Sequence, residues 1–175
     1  MGFHYSSLSD ICRKTKSGEL RVVNVVETML QRIQDLEPSL SAYVTVTADE
    51  AIQQAEVLDA RQREGAPLGV LHGAPIGLKD LLWTKGIPTS GGMHMHREWC
   101  PEKDAAVVER LDQAGAVSLG KLKLTEGAYA DHHPGSNSAQ ESMEYRLLDR
   151  SFLVGVGGSR GSRYGTRRHW DRYGG

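Results

Sequence analysis

Long apolar runs, cysteine and net charge are all scarce in this sequence of 175 residues. No stretch approaches the roughly 18 consecutive apolar residues that a membrane-spanning helix requires. The first residues also lack the apolar core of a secretion signal. With 21 basic and 22 acidic residues the net charge is −1, which gives no bulk attraction to nucleic acid or to an anionic membrane. These absences argue against a membrane protein and against a strongly basic nucleic-acid binder.

The two cysteines, Cys12 and Cys100, are too few for a disulfide framework and lack the spacing of metal ligands. We therefore expect a reduced, cytoplasmic protein. Its length is sufficient for one ordinary domain with a buried core.

Periodic apolar residues are present in the first 140 positions. One stripe recurs at steps of three and four, as on the buried face of an amphipathic helix: Val22, Val26, Met29, Ile33 and Leu36. Pro38 is expected to end this helix. A second helix is predicted after Thr47, with Glu50 completing a capping box and Gly65 following its last turn.

Three short segments have the composition of strands, at residues 42–46, 74–78 and 116–119. A further helix is predicted between the last two, begun by an Asp104 cap and closed by Gly115. Strands that alternate with helices indicate an α/β fold.

The most distinctive segment is Gly73-Ala-Pro-Ile-Gly-Leu-Lys-Asp80, in which an apolar strand ends at a lysine. It is followed by Gly86-Ile-Pro-Thr-Ser-Gly-Gly92, by the predicted helix of residues 104–116, and by Gly120-Lys-Leu-Lys-Leu-Thr-Glu126. Together these segments resemble the amidase signature family over residues 8–134. The resemblance implies a mixed β-sheet flanked by helices, hydrolysis of amides by a Ser–cis-Ser–Lys triad, and no cofactor. Lys79 occupies the position of the triad lysine.

A lysine can act as a base only when neutral, and its ordinary pKa of about 10.4 prevents this at neutral pH. Burial at an apolar strand end lowers such a pKa, and residues 75–79 could supply that burial. The alternative is a surface lysine paired with Asp80, and Asp80 is itself expected to cap the following turn. Gly86, Gly91 and Gly92 suit tight turns near this site.

Histidines form two groups, His94 with His96 on one face of an expected strand, and His132 with His133. No nearby arrangement of cysteine or carboxylate supports a defined metal site. We therefore interpret them as polar loop residues, and expect no metal.

Neither serine motif of the family follows Pro134, and the composition changes there. Residues 141–175 contain seven arginines, seven glycines and no lysine. Met143 must be encoded by ATG and Glu144 begins with G, so reading one base later forces a tryptophan. The neighbouring codons allow Asn-Pro before it and Asn after it. Asn-Pro-Trp-Asn is what a bacterial and fungal subgroup of the family has at this place.

The sequence therefore predicts a partial amidase signature domain at residues 1–134 and a non-homologous, disordered or irregular tail at 135–175, read out of frame. The expected activity is cleavage of a small-molecule amide to an acid and ammonia or an amine. With both serines missing, we expect this chain to be inactive. One alternative is a non-catalytic fragment whose Arg/Gly-rich tail binds nucleic acid, and another is a fragment that binds an intact paralogue.

Overall fold

A computed structural model describes residues 6–129 of the chain. The elements, in chain order, are α1 (Leu8–Ser17), α2 (Val22–Leu40), β1 (Tyr43–Val46), α3 (Ala48–Arg63), β2 (Pro75–Lys79), α4 (Ala106–Gln113) and β3 (Val117–Leu122). Single 3₁₀ turns lie at His94–His96 and Glu126–Ala128. The expected tail, the boundary at residue 134 and the histidines at 132 and 133 lie outside the described residues.

The sheet is mixed, with β3 in its centre between β1 and β2. β1 runs antiparallel to β3, whereas β2 runs parallel to it. In this register Leu78 lies opposite Lys121, and Lys79 lies opposite Leu122. The chain from β2 returns to β3 through a loop and α4, as a parallel pair requires. The mixed sheet flanked by helices confirms the predicted fold class.

Two clusters of buried apolar side chains hold the helices to the sheet. The larger joins α2 and α3 to β3, and the predicted stripe residues Val22, Val26, Met29 and Ile33 belong to it. The smaller joins α1, β2 and α4 around Cys12, Ile76, Leu78 and Val108. The helices therefore fix the positions of β2 and β3 through two separate sets of apolar contacts.

Two predicted helix boundaries are wrong, and one predicted N-cap is right in position but lacks its side-chain hydrogen bond. α2 continues past Pro38 to Leu40, since Pro38 lies in its last turn and the amide of Ser41 closes the helix on the carbonyl of Glu37. Thr47 precedes α3 but makes no capping hydrogen bond with its side chain. The carboxylate of Asp104 accepts the amide of Lys85 rather than an amide of α4.

Other predicted features of these helices are confirmed. The buried face of α3 includes Ala51, Ala55 and Leu58. Gly65 and Gly115, which follow α3 and α4, have positive φ values of 67° and 86°. No helix among residues 6–129 is long and apolar enough to cross a membrane.

Candidate functional site

Lys79 is the last residue of β2, so its backbone is fixed by pairing with β3 while its side chain leaves the sheet. The side chain is exposed, and its Nζ donates a hydrogen bond to the carbonyl of Lys123 at 3.0 Å. Residues 6–129 therefore do not supply the burial expected for this lysine. Its catalytic role stays a prediction.

Asp80 points in the opposite direction and is fully buried. Its Oδ2 accepts hydrogen bonds from the amide and the hydroxyl of Ser90, and its backbone carbonyl accepts the amide of Gly91. These bonds join the two ends of residues 80–91, which we call the Lys79 loop. Asp80 thus organises the turn after the strand, as predicted, and does not form the surface pair with Lys79.

The second oxygen of Asp80, Oδ1, is buried and accepts no hydrogen bond from the described residues. A buried carboxylate oxygen without a donor costs free energy. Asp80 Oδ1, at the start of the Lys79 loop, is therefore an acceptor for which residues 6–129 provide no donor.

A second lysine occupies the interior of the Lys79 loop. Lys121, on β3, is fully buried. Its Nζ donates to the carbonyl of Leu82, to Thr84 Oγ1 at 3.0 Å and to Thr89 Oγ1 at 2.8 Å. An ammonium group has three protons, and all three have acceptors here.

Burial lowers the pKa of Lys121 to about 8, although the carboxylates of Asp80 and Asp104 act in the opposite direction. Loss of hydration disfavours the charged form, while nearby negative charge favours it. Lys121 is therefore a buried lysine with a lowered pKa that the sequence did not identify as a site residue. The predicted strand ended at Leu119, whereas β3 continues to Leu122, so the available sequence signal was a lysine just beyond a mostly apolar segment.

Glycines with positive φ shape the Lys79 loop and its exit. Gly86, Gly91 and Gly92 have φ values of 73°, 62° and 74°, as their predicted turn positions require. A Cβ on Gly92 would lie 2.5 Å from the carbonyl oxygen of Thr125. The chain after β3 can therefore approach the loop closely only because residue 92 lacks a side chain.

His94 and His96 lie in a 3₁₀ turn and not in the expected strand. Both are exposed. Within residues 6–129, no group of three histidine, cysteine or carboxylate side chains is arranged to hold a metal ion.

A groove of about 330 Å³ lies between α3, α4 and β2, next to the Lys79 loop. Its lining includes apolar Ile76, Leu78 and Val108 together with polar Thr84 and Asp104. Lys79 is not among the residues that line it. The groove therefore adjoins the loop without containing the predicted base.

Comparison with known proteins identifies relatives over most of the described chain. The model of the Amidase family matches residues 24–138. Putative amidase AmiD of Mycobacterium tuberculosis is 42% identical over 127 residues, which cover 73% of this chain and 27% of that protein. A glutamyl-tRNA(Gln) amidotransferase subunit from Azotobacter vinelandii is 42% identical over 142 residues, covering 81% of this chain and 28% of that protein.

Solved structures show the same similarity. The native peptide amidase from Stenotrophomonas maltophilia has a TM-score of 0.66 at 35% identity, over 71% of this chain and 26% of that chain. A bacterial aryl acylamidase of the amidase signature family has a TM-score of 0.67 at 26% identity, with the same coverage. This chain thus spans about a quarter of the length of the relatives it matches. The match over well over half of its residues shows that the chain belongs to the Amidase family.

Proposed function

We propose that this chain derives from a hydrolase that cleaves a carboxylic amide to an acid and ammonia or an amine, with Lys79 as the base of a Ser–Ser–Lys triad. The position of Lys79 is the observation that carries this proposal. The residue ends a strand that pairs with β3, and its exposed side chain reaches past that strand to donate a hydrogen bond to the carbonyl of Lys123. The backbone of Lys79 is thus held by the sheet while its basic group is exposed, in a chain of the Amidase family.

The proposed chemistry requires a neutral Lys79. An amide is a weak electrophile, so its hydrolysis needs an activated nucleophile and a donor for the leaving amine. A neutral lysine accepts a proton from one serine, which in turn activates the nucleophilic serine. A serine-bearing segment packed over the exposed end of β2 would bury Lys79 and lower its pKa, as burial does for Lys121.

We also propose that residues 135–175 are an out-of-frame reading of the gene for such an enzyme. The forced tryptophan at Met143–Glu144, the Asn-Pro and Asn that the neighbouring codons allow around it, and the absence of lysine from residues 141–175 support this. The family match, which ends at residue 138, supports it as well. The domain boundary then lies at about residue 134, and the chain as written lacks its nucleophile.

The remaining parts of the proposal concern surroundings and substrate. The substrate is a small-molecule amide, and no cofactor takes part. Two free thiols, buried Cys12 and exposed Cys100, support a reducing compartment such as the cytoplasm.

The test begins with the nucleotide sequence of the gene and transcript across codons 134–141. The frame-restored polypeptide should then be purified and assayed for ammonia or amine release from a panel of aliphatic, aromatic and peptide amides. We expect turnover that falls by at least about 10³-fold in Lys79→Ala. Lys103→Ala, which changes an exposed lysine elsewhere, serves as the matched control and should retain turnover.

Two results would contradict the proposal. One is a gene without a downstream amidase reading frame. The other is amide hydrolysis by the restored chain that Lys79→Ala leaves unchanged.

A further inference from the structure

Lys121, which lies on β3, donates to three oxygen acceptors that all belong to the Lys79 loop. Thr84 Oγ1 donates its own proton to the carbonyl of Leu82, and Thr89 Oγ1 donates its proton to the carbonyl of Ile87, each at 3.1 Å. Both hydroxyl oxygens are therefore left as acceptors facing Lys121 Nζ. The carbonyl of Leu82 is the third acceptor of the same group.

A protonated lysine matches this arrangement in number, with three protons for three oxygens. A neutral amine has two protons, and a methionine of similar length has none. Because the three oxygens belong to residues 82, 84 and 89, one buried cation joins the start, middle and end of the loop. Burying a cation costs free energy unless it is hydrogen-bonded, and these three bonds offset that cost.

A short chain of hydrogen bonds connects Lys121 to Lys79. Lys121 Nζ donates to the carbonyl of Leu82, and the amide of Leu82 donates to the carbonyl of Lys79 at 2.9 Å. On the other side, the amide of Asp80 donates to the carbonyl of Leu122 at 3.0 Å, immediately after Lys121. The peptide group that follows Lys79 is thus held both by β3 and by the loop that Lys121 fills.

We propose that Lys121 is a positioning residue for Lys79, because its buried ammonium holds Leu82 and Leu82 holds the backbone of Lys79. The inference rests on the proposed function in so far as Lys79 is the base of amide hydrolysis. The anchoring itself is a property of this chain and is tested on it directly. Lys121 acts through the backbone and does not contact the reacting atoms.

The experiment compares Lys121→Met with Lys85→Met in the 175-residue chain. Lys85 is an exposed lysine of the same loop, so its variant controls for loss of a charge. Two quantities are measured: amide hydrogen exchange along the chain, and the rate at which acetyl N-hydroxysuccinimide acylates Lys79 relative to exposed Lys103. Mass spectrometry gives both.

In Lys121→Met we expect exchange in residues 80–91 to accelerate at least about tenfold, since hydrogen bonds to a charged group are lost. Exchange in α2 and α3 should accelerate much less. Acylation of Lys79 should accelerate at least about threefold, because a loosened strand end releases its amino group from the carbonyl of Lys123. Lys85→Met should stay within about twofold of the parent chain in both measurements.

Thr89 provides a second pair of variants if Lys121→Met does not fold. Thr89→Val removes one acceptor while keeping the shape of the side chain, and Thr89→Ser keeps the hydroxyl. We expect Thr89→Val to accelerate loop exchange and Lys79 acylation, and Thr89→Ser to restore both. That rescue separates the hydrogen bond from simple packing.

The proposal is overturned if Lys79 acylation in Lys121→Met and in Thr89→Val equals that of the control. It is equally overturned if exchange accelerates uniformly along residues 6–129, which would show only a general structural role. Failure of the proposed function has a different signature. The anchoring measurements would then succeed, while the frame-restored polypeptide would show no amide hydrolysis dependent on Lys79.

Discussion

Lys121 is held in the interior by neutral oxygens. Its three acceptors are one backbone carbonyl and two threonine hydroxyls, and the carboxylates of Asp80 and Asp104 act on it only through space. The neutral form of the amine is favoured more strongly at this buried site than in water. For this reason the pKa of Lys121 is lowered to about 8. The fold therefore binds this proton less tightly than the unfolded chain does.

The first prediction concerns stability against pH. Between about pH 8 and the ordinary lysine pKa, the unfolded chain carries a proton at residue 121 that the folded chain has lost, so the free energy of unfolding should rise with pH. From pH 8 to pH 10 the contribution is at most about 3 kcal/mol. Lys121→Met should lack this rise, and urea unfolding of both proteins at each pH measures it.

The comparison between the two proteins removes opposing contributions from other groups. Burial raises the pKa values of Tyr43 and Cys12, so each stabilises the fold less as pH rises above its ordinary pKa. Both groups are present in the parent chain and in Lys121→Met. A stability difference that stays constant from pH 7 to pH 10 would contradict the titration assigned to Lys121.

At the scale of single elements, the sequence predicted those helices and strands whose position depends on local interactions. The apolar stripe of α2 and the β-branched composition of β1 were sufficient to locate both elements, because each pattern follows directly from the periodicity of its backbone. The expected capping hydrogen bonds of the Thr47 and Asp104 side chains are absent for the opposite reason, because such bonds also depend on contacts distant in sequence. The carboxylate of Asp104 has a partner in Lys85, which is distant in sequence and close only after folding.

The prediction of the site likewise succeeded for local features and failed for features that depend on tertiary contacts. The end of β2 at Lys79 was visible in the sequence, whereas the exposure of Lys79 and the burial of Lys121 depend on how the loop folds over β3. A lysine within an apolar strand does not by itself reveal three oxygens gathered from positions 32 to 39 residues away. Tertiary contacts bury Lys121 and thereby lower its pKa.

The second prediction uses two glycines of similar backbone conformation. Gly86 has φ 73° with no atom within 4 Å of an added Cβ, while Gly92 has φ 74° with the carbonyl of Thr125 at 2.5 Å. Gly86→Ala should therefore cost only the strain of positive φ, about 1 kcal/mol. Gly92→Ala should cost about 1–3 kcal/mol more because of the steric overlap. Chemical denaturation compares the two, and equal losses would show that the contact at Gly92 carries no weight.

On the scale of the whole molecule, the chain contains the pairing of β2 and β3 and the predicted base within about a quarter of the length of its relatives. Lys79 is exposed at the end of this sheet, and its described hydrogen bond is to a neighbouring carbonyl. A base in that position has a fixed backbone but no serine to deprotonate among the motifs of this sequence. The fold of this part of the family and the proposed chemistry can therefore be tested separately in this chain.

The last prediction follows from that separation. The 175-residue chain should hydrolyse none of the amides cleaved by the frame-restored polypeptide, because loss of a nucleophile typically removes about 10⁶-fold in rate. Amine or ammonia release is measured with both proteins on the same panel, with hydrogen exchange of residues 6–129 confirming that the short chain is folded. Turnover by the short chain that disappears in Lys79→Ala would contradict the prediction, because it would require a nucleophile that the family motifs do not identify. Turnover that persists in Lys79→Ala would instead indicate a contaminating hydrolase, since that variant removes the base and leaves β2 in place.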